Sequence, residues 1–302
     1  MQPQARIAPK FFYDRLGSRL FAAITELPEY YPTRTEAEIF VEHMPAIRES
    51  LGRDFTLIDL GCGNCDKAGR LFHTGAIPAR YVAVDISVEF LRESLQHLKR
   101  ELPAIEMIGV GADFTHEPQL PADLPPQRRI FFYPGSSIGN FSPGEARRFL
   151  GQLADRMDAS GGLLIGVDLI KDESLLNAAY DDALGVTAAF NRNLLRHVNA
   201  RLDADFEIAD WQHLAFCNAG ESRIEMHLEA RRAVDVSWPD NDGRCRRHFA
   251  AGELIHTENS LKYSPDGFRQ LLVDAGFSEI RMWTDSRAWF ALFFARQAAT
   301  RT

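Results

Sequence analysis

Short, nearly continuous apolar runs alternate with amphipathic stretches over most of the first 170 residues. The apolar runs lie at 56–60, 81–85, 105–110, 129–133 and 163–168. Between them, apolar side chains recur at helical spacing, for example at 90–98 and 146–153. Apolar runs of this length are typical of parallel strands buried on both faces. Their alternation with helices therefore indicates an α/β fold with a central, mostly parallel sheet.

The alternation breaks between about residues 171 and 261 and then resumes. This segment begins as a polar, mostly helical stretch, and two stretches of alternating polarity follow at 210–216 and 223–230. Ser264 and Pro265 then form a helix start, and two further strands are predicted at 277–284 and 289–295. We therefore expect an inserted α+β subdomain, which is a natural place for substrate recognition.

A glycine-bearing turn follows the first apolar run. Gly61 and Gly63 allow the backbone to approach a ligand closely, and the second strand ends about 20 residues later at Asp85, where an acid commonly binds both ribose hydroxyls. Asp66 replaces the third glycine of a dinucleotide fingerprint and would repel a pyrophosphate at the helix start. S-adenosylmethionine (SAM) carries no phosphate and is cationic. The loop at 59–63 resembles the first motif of class I SAM-dependent methyltransferases.

Two further loops follow the carboxyl ends of predicted strands, where ligands bind in open α/β sheets. Asp113 and Phe114 combine a carboxylate with an aromatic ring. This pair suits the amine and the flat face of adenine, although an acid that only caps a turn would look the same. The loop at 134–143 is expected to face cofactor and substrate. It lacks the Asn/Asp-Pro-Pro-aromatic element of methyltransferases that act on nucleic-acid amines.

The N-terminal segment is dense in aromatic residues. Pro28 and Pro32 bracket two tyrosines, Tyr30 and Tyr31, and hold them in a rigid loop, while Tyr13 precedes an amphipathic helix. Two interpretations remain open for these tyrosines. They pack at the edge of a core with their hydroxyls in water, or they form an aromatic lid whose hydroxyls point into a pocket.

The net charge and the cysteines of the chain bear on three questions: nucleic-acid binding, cellular location and metal binding. A net charge of −8 argues against a broad nucleic-acid surface, and the basic run at 244–248 is expected to be a solvated loop. There is no signal peptide and no apolar run long enough to span a bilayer, so a reduced cytoplasmic setting is predicted. Cys62 and Cys65 lie inside the glycine loop, where small residues are needed anyway. No second such pair and no spaced histidine pair completes a metal site, so no metal is expected.

Several uncommon runs together point to one family. They are the segments at 10–14, 27–36, 135–140, 168–172, 179–182, 185–193, 223–226 and 257–262, among them Pro-Glu-Tyr-Tyr-Pro-Thr-Arg and Gly-Val-Thr-Ala-Ala-Phe-Asn-Arg-Asn. These runs closely resemble the histidine-specific Nα-methyltransferases of ergothioneine biosynthesis, and the resemblance extends nearly from end to end.

The resemblance implies a fold, a reaction and a set of site residues. The fold is a Rossmann-like class I methyltransferase domain at 35–170 plus 262–302, with a substrate-binding domain at 1–34 plus 171–261. The reaction transfers three methyl groups from SAM to the α-amine of L-histidine, giving trimethylhistidine (hercynine) and S-adenosylhomocysteine. The implied cofactor site comprises Gly61, Gly63, Lys67, Asp85, Asp113 and Phe114. The implied substrate site has groups for the carboxylate and amine (Tyr30, Asn140 and Tyr180), for the imidazole (Glu258 and Ser260), and for the pocket wall (Met226 and Tyr13).

Some positions depart from the pattern of the family and keep alternatives open. The run at 257–260 is polar at a position where an aliphatic residue is more usual, and the glycine loop carries cysteines where serine and threonine are common. A SAM-dependent N-methyltransferase of another aromatic amino acid or amine is therefore an alternative, and a non-catalytic SAM-binding module is one from a different class. A dehydrogenase is disfavoured by Asp66. We expect a monomer that acts on a small molecule, with no nucleic-acid or membrane partner.

Overall fold

A computed structural model describes residues 4–115, 120–240 and 243–297. The strands in these ranges are β1 (Ala5–Arg6), β2 (Thr56–Leu60), β3 (Arg80–Asp85), β4 (Glu106–Gly111), β5 (Arg129–Tyr133), β6 (Gly162–Asp168), β7 (Trp211–Asn218), β8 (Arg223–Ala230), β9 (Val234–Asp240), β10 (Gly243–Phe249), β11 (Leu254–Leu261), β12 (Glu279–Thr284) and β13 (Phe290–Arg296). The α-helices are α1 (Arg15–Ile24), α2 (Pro32–Leu51), α3 (Asp66–His73), α4 (Val88–Glu101), α5 (Pro143–Ala154), α6 (Glu173–Tyr180), α7 (Val186–Leu202) and α8 (Pro265–Asp274). Within these ranges, none of the helices combines the length and the apolar character needed to cross a bilayer.

The larger of two compact units comprises Pro32–Ile170 and Leu261–Thr302, and we call it the large unit. Its seven-stranded sheet has the order β12-β13-β6-β5-β2-β3-β4. The strands β2 to β6 pair in parallel, whereas β13 runs antiparallel to both β6 and β12. The α/β class and the parallel strands predicted from the apolar runs are thus confirmed.

Successive residues of the central strands point to opposite faces of the sheet and pack into two separate hydrophobic cores. Ile58 and Leu60 pack in a cluster with α5 and α8, whereas Leu57 packs in a second cluster with α2 and α3. A strand that is buried on both faces needs apolar residues at every position, which explains the continuous runs in the sequence. The carboxyl ends of β2, β3, β5 and β6 consequently share one edge of the sheet, and their loops lie there.

The smaller unit comprises Met1–Tyr31 and Lys171–Ser260, and we call it the small unit. Its four-stranded sheet has the order β1-β11-β8-β7, and β9 pairs with β10 in a separate hairpin. A core that includes Leu195, Trp211, Leu228, Phe249 and Ile255 joins α7 to these strands. The alternating segments predicted around 210–216 and 223–230 are β7 and β8.

The expectation that the basic run at 244–248 is a loop was wrong, because this run belongs to strand β10. Its charges are matched by acids on neighbouring segments of the small unit. Arg246 Nη2 lies 2.6 Å from Asp235 Oδ2 on β9, and Arg247 Nη2 lies 2.9 Å from Glu253 Oε1. Consecutive charged residues conceal the alternation by which a strand is recognised, and the pairing that satisfies them appears only in the folded chain.

Candidate active site

The glycine loop of the large unit forms a tight turn between β2 and α3. Gly61 and Gly63 have φ angles of 72° and 53°, in the left-handed region that favours glycine. The Gly61 amide donates to the Val84 carbonyl at 2.8 Å, which fixes the start of the turn against β3. A Cβ added at Gly61 would lie 3.3 Å from Cζ of Phe114, so the structure brings these two predicted site residues together.

Asp85 organises the same loop through its carboxylate. Oδ2 accepts a hydrogen bond from the Gly63 amide at 3.0 Å, and Oδ1 accepts one from the Ser87 amide at 2.8 Å. Burial raises the pKa of Asp85, and the hydrogen bonds from the Ser87 and Gly63 amides partly oppose that rise. The carboxylate is therefore held in one orientation at the carboxyl end of β3.

The sequence left two interpretations of Asp113 and Phe114 open, an adenine-binding pair or an acid that only caps a turn, and the structure shows features of both. The Phe114 ring packs edge-on against Tyr133, with 5.7 Å between centroids, and so forms a flat wall. Asp113 Oδ1 accepts hydrogen bonds from the Thr115 amide at 3.1 Å and from the Thr115 hydroxyl. The carboxylate therefore caps a turn, and its contact with an adenine amine stays a prediction.

Lys67 belongs to a buried polar network that the sequence did not reveal. Its Nζ lies 2.7 Å from Glu36 Oε2, and Glu36 Oε1 accepts a hydrogen bond from the Gly135 amide at 2.8 Å. A Cβ on Gly135 would lie 2.4 Å from Lys67 Nζ, and one on Gly166 would lie 2.2 Å from Glu36 Oε1. Two glycines therefore leave room for this network, which ties α2 and α3 to the loop after β5. Glu36 carries no recognisable spacing to its partners, which is why sequence reasoning missed it.

The buried polar groups around the glycine loop show no sign of a reactive nucleophile. The Tyr81 hydroxyl donates to Asp59 Oδ2 at 2.8 Å, and burial raises the pKa of Asp59 to about 7. Cys62 and Cys65 are both buried free thiols. Burial raises the pKa of Cys62 well above its ordinary value, so that thiol stays neutral at physiological pH. A neutral buried thiol is a weak nucleophile, which agrees with a packing role for Cys62.

The loop after β5 carries Asn140 at the end of a short 3-10 helix, Ser137–Asn140, where its side chain is partly buried. Ser136, with φ of 61°, accepts a hydrogen bond on its hydroxyl from the Asp168 amide at 2.8 Å. Asp168 in turn forms an ion pair with Lys262, with 2.8 Å between Oδ2 and Nζ, and both side chains are only 1% exposed. The loop is thereby anchored to the end of β6.

Aromatic rings of the small unit form a chain of edge-to-face contacts. Ring centroids are 5.8 Å apart for Tyr13 and Phe21, 6.1 Å for Phe21 and Tyr30, and 6.4 Å for Tyr30 and Tyr180. The structure therefore brings three predicted substrate residues into one cluster.

Tyr31 differs from the tyrosines of this cluster, because its hydroxyl accepts a hydrogen bond from Lys171 Nζ at 2.9 Å and its ring is buried. Tyr31 therefore packs in the interior, but its hydroxyl contacts Lys171, whereas the packing interpretation placed it in water.

Tyr180 is fixed at both of its polar ends. Its hydroxyl donates to Ser260 Oγ at 2.7 Å, and its carbonyl accepts from His213 Nε2 at 2.8 Å. His213 Nδ1 in turn accepts from the side-chain Nδ2 of Asn191 at 2.8 Å. Burial lowers the pKa of His213, which favours the neutral ring that this arrangement of one donor and one acceptor requires. His213 and Asn191 are positioning residues that the sequence analysis did not assign.

The remaining predicted substrate residues lie on two strands of the small unit. Met226 on β8 and Glu258 on β11 are both buried, and the Thr257 hydroxyl donates to the Met226 carbonyl at 3.0 Å. Glu258 is a carboxylate with only 8% exposure. A buried acid of this kind is suited to binding a nitrogen-bearing ring, because a charged acceptor in a desolvated site forms a strong hydrogen bond.

Comparison with known proteins identifies a consistent set of relatives. The family model described as "Histidine-specific methyltransferase, SAM-dependent" matches residues 1–297. The histidine N-alpha-methyltransferase of Mycolicibacterium smegmatis is 41% identical over 293 residues, covering 96% of this chain and 89% of that protein. The protein of the same name from Mycobacterium tuberculosis is 41% identical over 296 residues, with the same coverage of both chains. A solved S-adenosylmethionine-dependent methyltransferase from Clostridium acetobutylicum covers 93% of this chain and 96% of its own, at 10% identity with a TM-score of 0.48.

Proposed function

The chain belongs to the family of SAM-dependent, histidine-specific methyltransferases, and on that premise we propose that it methylates the α-amine of L-histidine. The product is Nα,Nα,Nα-trimethylhistidine, hercynine. The observation that carries this proposal is the 41% identity to two histidine N-alpha-methyltransferases over 96% of the chain. We further propose that the protein acts as a cytoplasmic monomer on a free amino acid and has no nucleic-acid or membrane partner.

The large unit is proposed to bind SAM. Its residues fit that ligand, because the backbone at Gly61 lies against the Phe114 ring and Asp85 stands at the carboxyl end of β3. Asp85 would bind the ribose hydroxyls, Phe114 would cover the adenine, and Asp113 would accept the adenine amine. Lys67 would help to hold the cofactor site in place through its ion pair with Glu36. When bound, SAM supplies an electrophilic methyl group on a sulfonium centre.

The small unit is proposed to bind histidine. Tyr30 and Tyr180 would hold the α-carboxylate and amine through their hydroxyl groups, and Asn140 is proposed from the family resemblance as a further substrate residue. Glu258 and Ser260 would bind the imidazole, with Met226 and Tyr13 forming the wall. The hydrogen bond from the Tyr180 hydroxyl to Ser260 supports this proposal. It joins a residue proposed to bind the amino-acid end of histidine to one proposed to bind the imidazole.

The main task of the protein in methyl transfer is to align the amine of the substrate with the methyl group of SAM. The amine must be neutral and must be held in line with the methyl group that it attacks, and a small misplacement costs a large factor in rate. Rigid groups serve that purpose, and Tyr180 is rigid because His213 and Ser260 hold its two ends. Three successive transfers also require space for the growing ammonium group.

One assay separates the proposal from its alternatives. The protein is incubated with SAM and each of the twenty amino acids, and the products are resolved by mass spectrometry. We expect up to three added methyl groups on histidine alone. Methylation of a different aromatic amino acid would favour the alternative substrate. No methylation, together with calorimetric binding of S-adenosylhomocysteine that is not coupled to histidine, would indicate a non-catalytic binding module.

The Asp85→Ala substitution should weaken binding of S-adenosylhomocysteine by about 1–3 kcal/mol, roughly 5- to 150-fold, since the ribose loses a charged acceptor. Asp85→Asn should show a smaller loss, because its amide oxygen still accepts one hydrogen bond. Isothermal titration calorimetry provides the measurement. Asp66→Ala, which removes an exposed carboxylate from the same loop, is the matched control and should bind like the wild type. Wild-type affinity in folded Asp85→Ala protein would remove the ribose assignment.

The Tyr180→Phe substitution should lower kcat/KM for histidine about 2- to 12-fold, since it removes one hydroxyl worth roughly 0.5–1.5 kcal/mol. Asn140→Ala should lower it in the same way, and both variants should retain the wild-type affinity for S-adenosylhomocysteine. Tyr31→Phe is the matched control, because the Tyr31 hydroxyl contacts Lys171 and we assign it no contact with the substrate. If Tyr180→Phe and Asn140→Ala turn over histidine at the wild-type rate, the substrate is bound by other residues.

A further inference from the structure

Three side chains of the small unit that the proposed reaction does not use converge on one point. Glu225 and His227 lie on β8 and His256 lies on β11, and their potential ligand atoms are all within 4.8 Å of one another. His227 Nε2 is 3.5 Å from Glu225 Oε2, and the two imidazole centroids are 5.2 Å apart. Two ligand atoms bound tetrahedrally to one ion at 2.0–2.2 Å are roughly 3.3–3.6 Å apart, which the distance between His227 and Glu225 already matches.

The hydrogen bonding of His227 is incomplete. This side chain is 2% exposed, and its Nδ1 is buried without a hydrogen-bond partner among the described residues. A neutral imidazole presents one donor and one acceptor, and leaving either unmatched in the interior is unfavourable. A ring nitrogen that is unmatched in the interior is available to a metal ion, which binds the unprotonated form.

The other two side chains are held by a second layer of contacts. Glu225 Oε1 accepts hydrogen bonds from Asn218 Nδ2 at 2.9 Å and from Arg223 Nη2 at 2.7 Å, which orients the carboxylate. His256 Nε2 lies 2.8 Å from Asn259 Oδ1, an acceptor that fixes the tautomer of this ring. Such outer contacts are typical of residues that bind metal ions.

We propose that Glu225, His227 and His256 form a binding site for a divalent transition-metal ion, with Zn²⁺ as the representative. Two imidazoles and one carboxylate suit this class of ion, and three protein ligands leave one coordination position for water.

The bound ion would tie β8 to β11. These two strands also carry Met226, Glu258 and Ser260, which are proposed above to bind the substrate. The ion would therefore stabilise the sheet that supports the substrate pocket, and it would take no part in methyl transfer. The site itself does not depend on the identity of that substrate, so failure of one proposal leaves the other standing.

The test uses the full chain, stripped of metal by a chelator and titrated with Co²⁺ as a spectroscopic probe and with Zn²⁺ as its competitor. We expect one ion per chain, visible ligand-field bands of nitrogen and oxygen coordination, and a rise in Tm at saturating Zn²⁺. His227→Gln and His256→Gln should each weaken binding at least tenfold and abolish the rise in Tm. His248→Gln is the matched control, because that exposed histidine lies 3.1 Å from Asp235 in a surface pair. It should bind like the wild type.

Three results would overturn the proposal. They are wild-type affinity in both His227→Gln and His256→Gln, equal loss in His248→Gln, and absence of stoichiometric binding. Charge-transfer bands of sulfur ligation that persist in the histidine variants would place the ion on the cysteines and would also overturn it. Glu225→Gln provides a second route if a histidine variant fails to fold. It should weaken Co²⁺ binding while circular dichroism remains that of the wild type.

Discussion

The Glu258→Ala variant should turn over histidine roughly 30- to 1000-fold less efficiently, as measured by kcat/KM. Glu258 is a buried carboxylate on β11, and we propose that it accepts a hydrogen bond from the imidazole of the substrate. Its removal leaves that N–H unpaired in a desolvated pocket, a loss of about 2–4 kcal/mol for a charged acceptor. A site that is built around such a bond discriminates strongly against ligands that do not make it.

The same substitution should improve turnover of tryptophan. Truncation opens volume and removes a negative charge, so the larger and less polar indole ring should be accepted better than before. The gain should be clearest when Met226, which is also buried, is made smaller as well. Mass spectrometry of paired reactions with histidine and tryptophan would show the crossover.

Glu229→Ala provides the control for this experiment. That carboxylate lies on the neighbouring strand β8 and accepts a hydrogen bond from Gln212 Nε2 at 2.7 Å, and we assign it no contact with the substrate. Its removal should leave the ratio of histidine to tryptophan turnover unchanged. Equal losses of activity towards every aromatic amino acid in Glu258→Ala would instead mean that Glu258 is structural, and its assignment to the imidazole would be removed.

The Lys262→Met variant should lose about 3–5 kcal/mol of the free energy of unfolding. Lys262 and Asp168 form an ion pair at 2.8 Å with 1% exposure of each side chain, so removing the cation breaks a buried ion pair and keeps the carboxylate in the interior. Methionine keeps a similar shape, which limits the effect to the charge. Equilibrium denaturation followed by circular dichroism measures the loss.

Two further variants test the physical reason for that loss. Lys262→Met combined with Asp168→Leu should recover much of the stability, because the desolvation cost of both charges disappears. Arg244→Met breaks a surface pair, in which Arg244 and Asp203 are 52% and 85% exposed, and should cost less than about 1 kcal/mol. Equal stabilities of Lys262→Met and Arg244→Met would contradict the importance that we assign to burial.

The sequence by itself determined the sheet of the large unit and the nature of its ligand loop. Strands buried on both faces must be apolar at consecutive positions, and Gly61 and Gly63 mark a turn with positive φ, so both features are recorded in contiguous residues. The uncommon runs that resemble the methyltransferase family supplied the proposed site residues. Local patterns of this kind need no knowledge of what lies next to them in space.

Only the tertiary structure decided which polar groups meet. It placed Glu36 against Lys67 and the Gly135 amide, and it placed His213 under the Tyr180 carbonyl. It also gathered Glu225, His227 and His256 at one point and paired Arg246 of the basic strand β10 with Asp235 of β9. These contacts depend on strand order and register, which are set only when the chain folds. A polar residue carries the same identity whether it faces water or a buried partner, so the sequence alone could not distinguish the two.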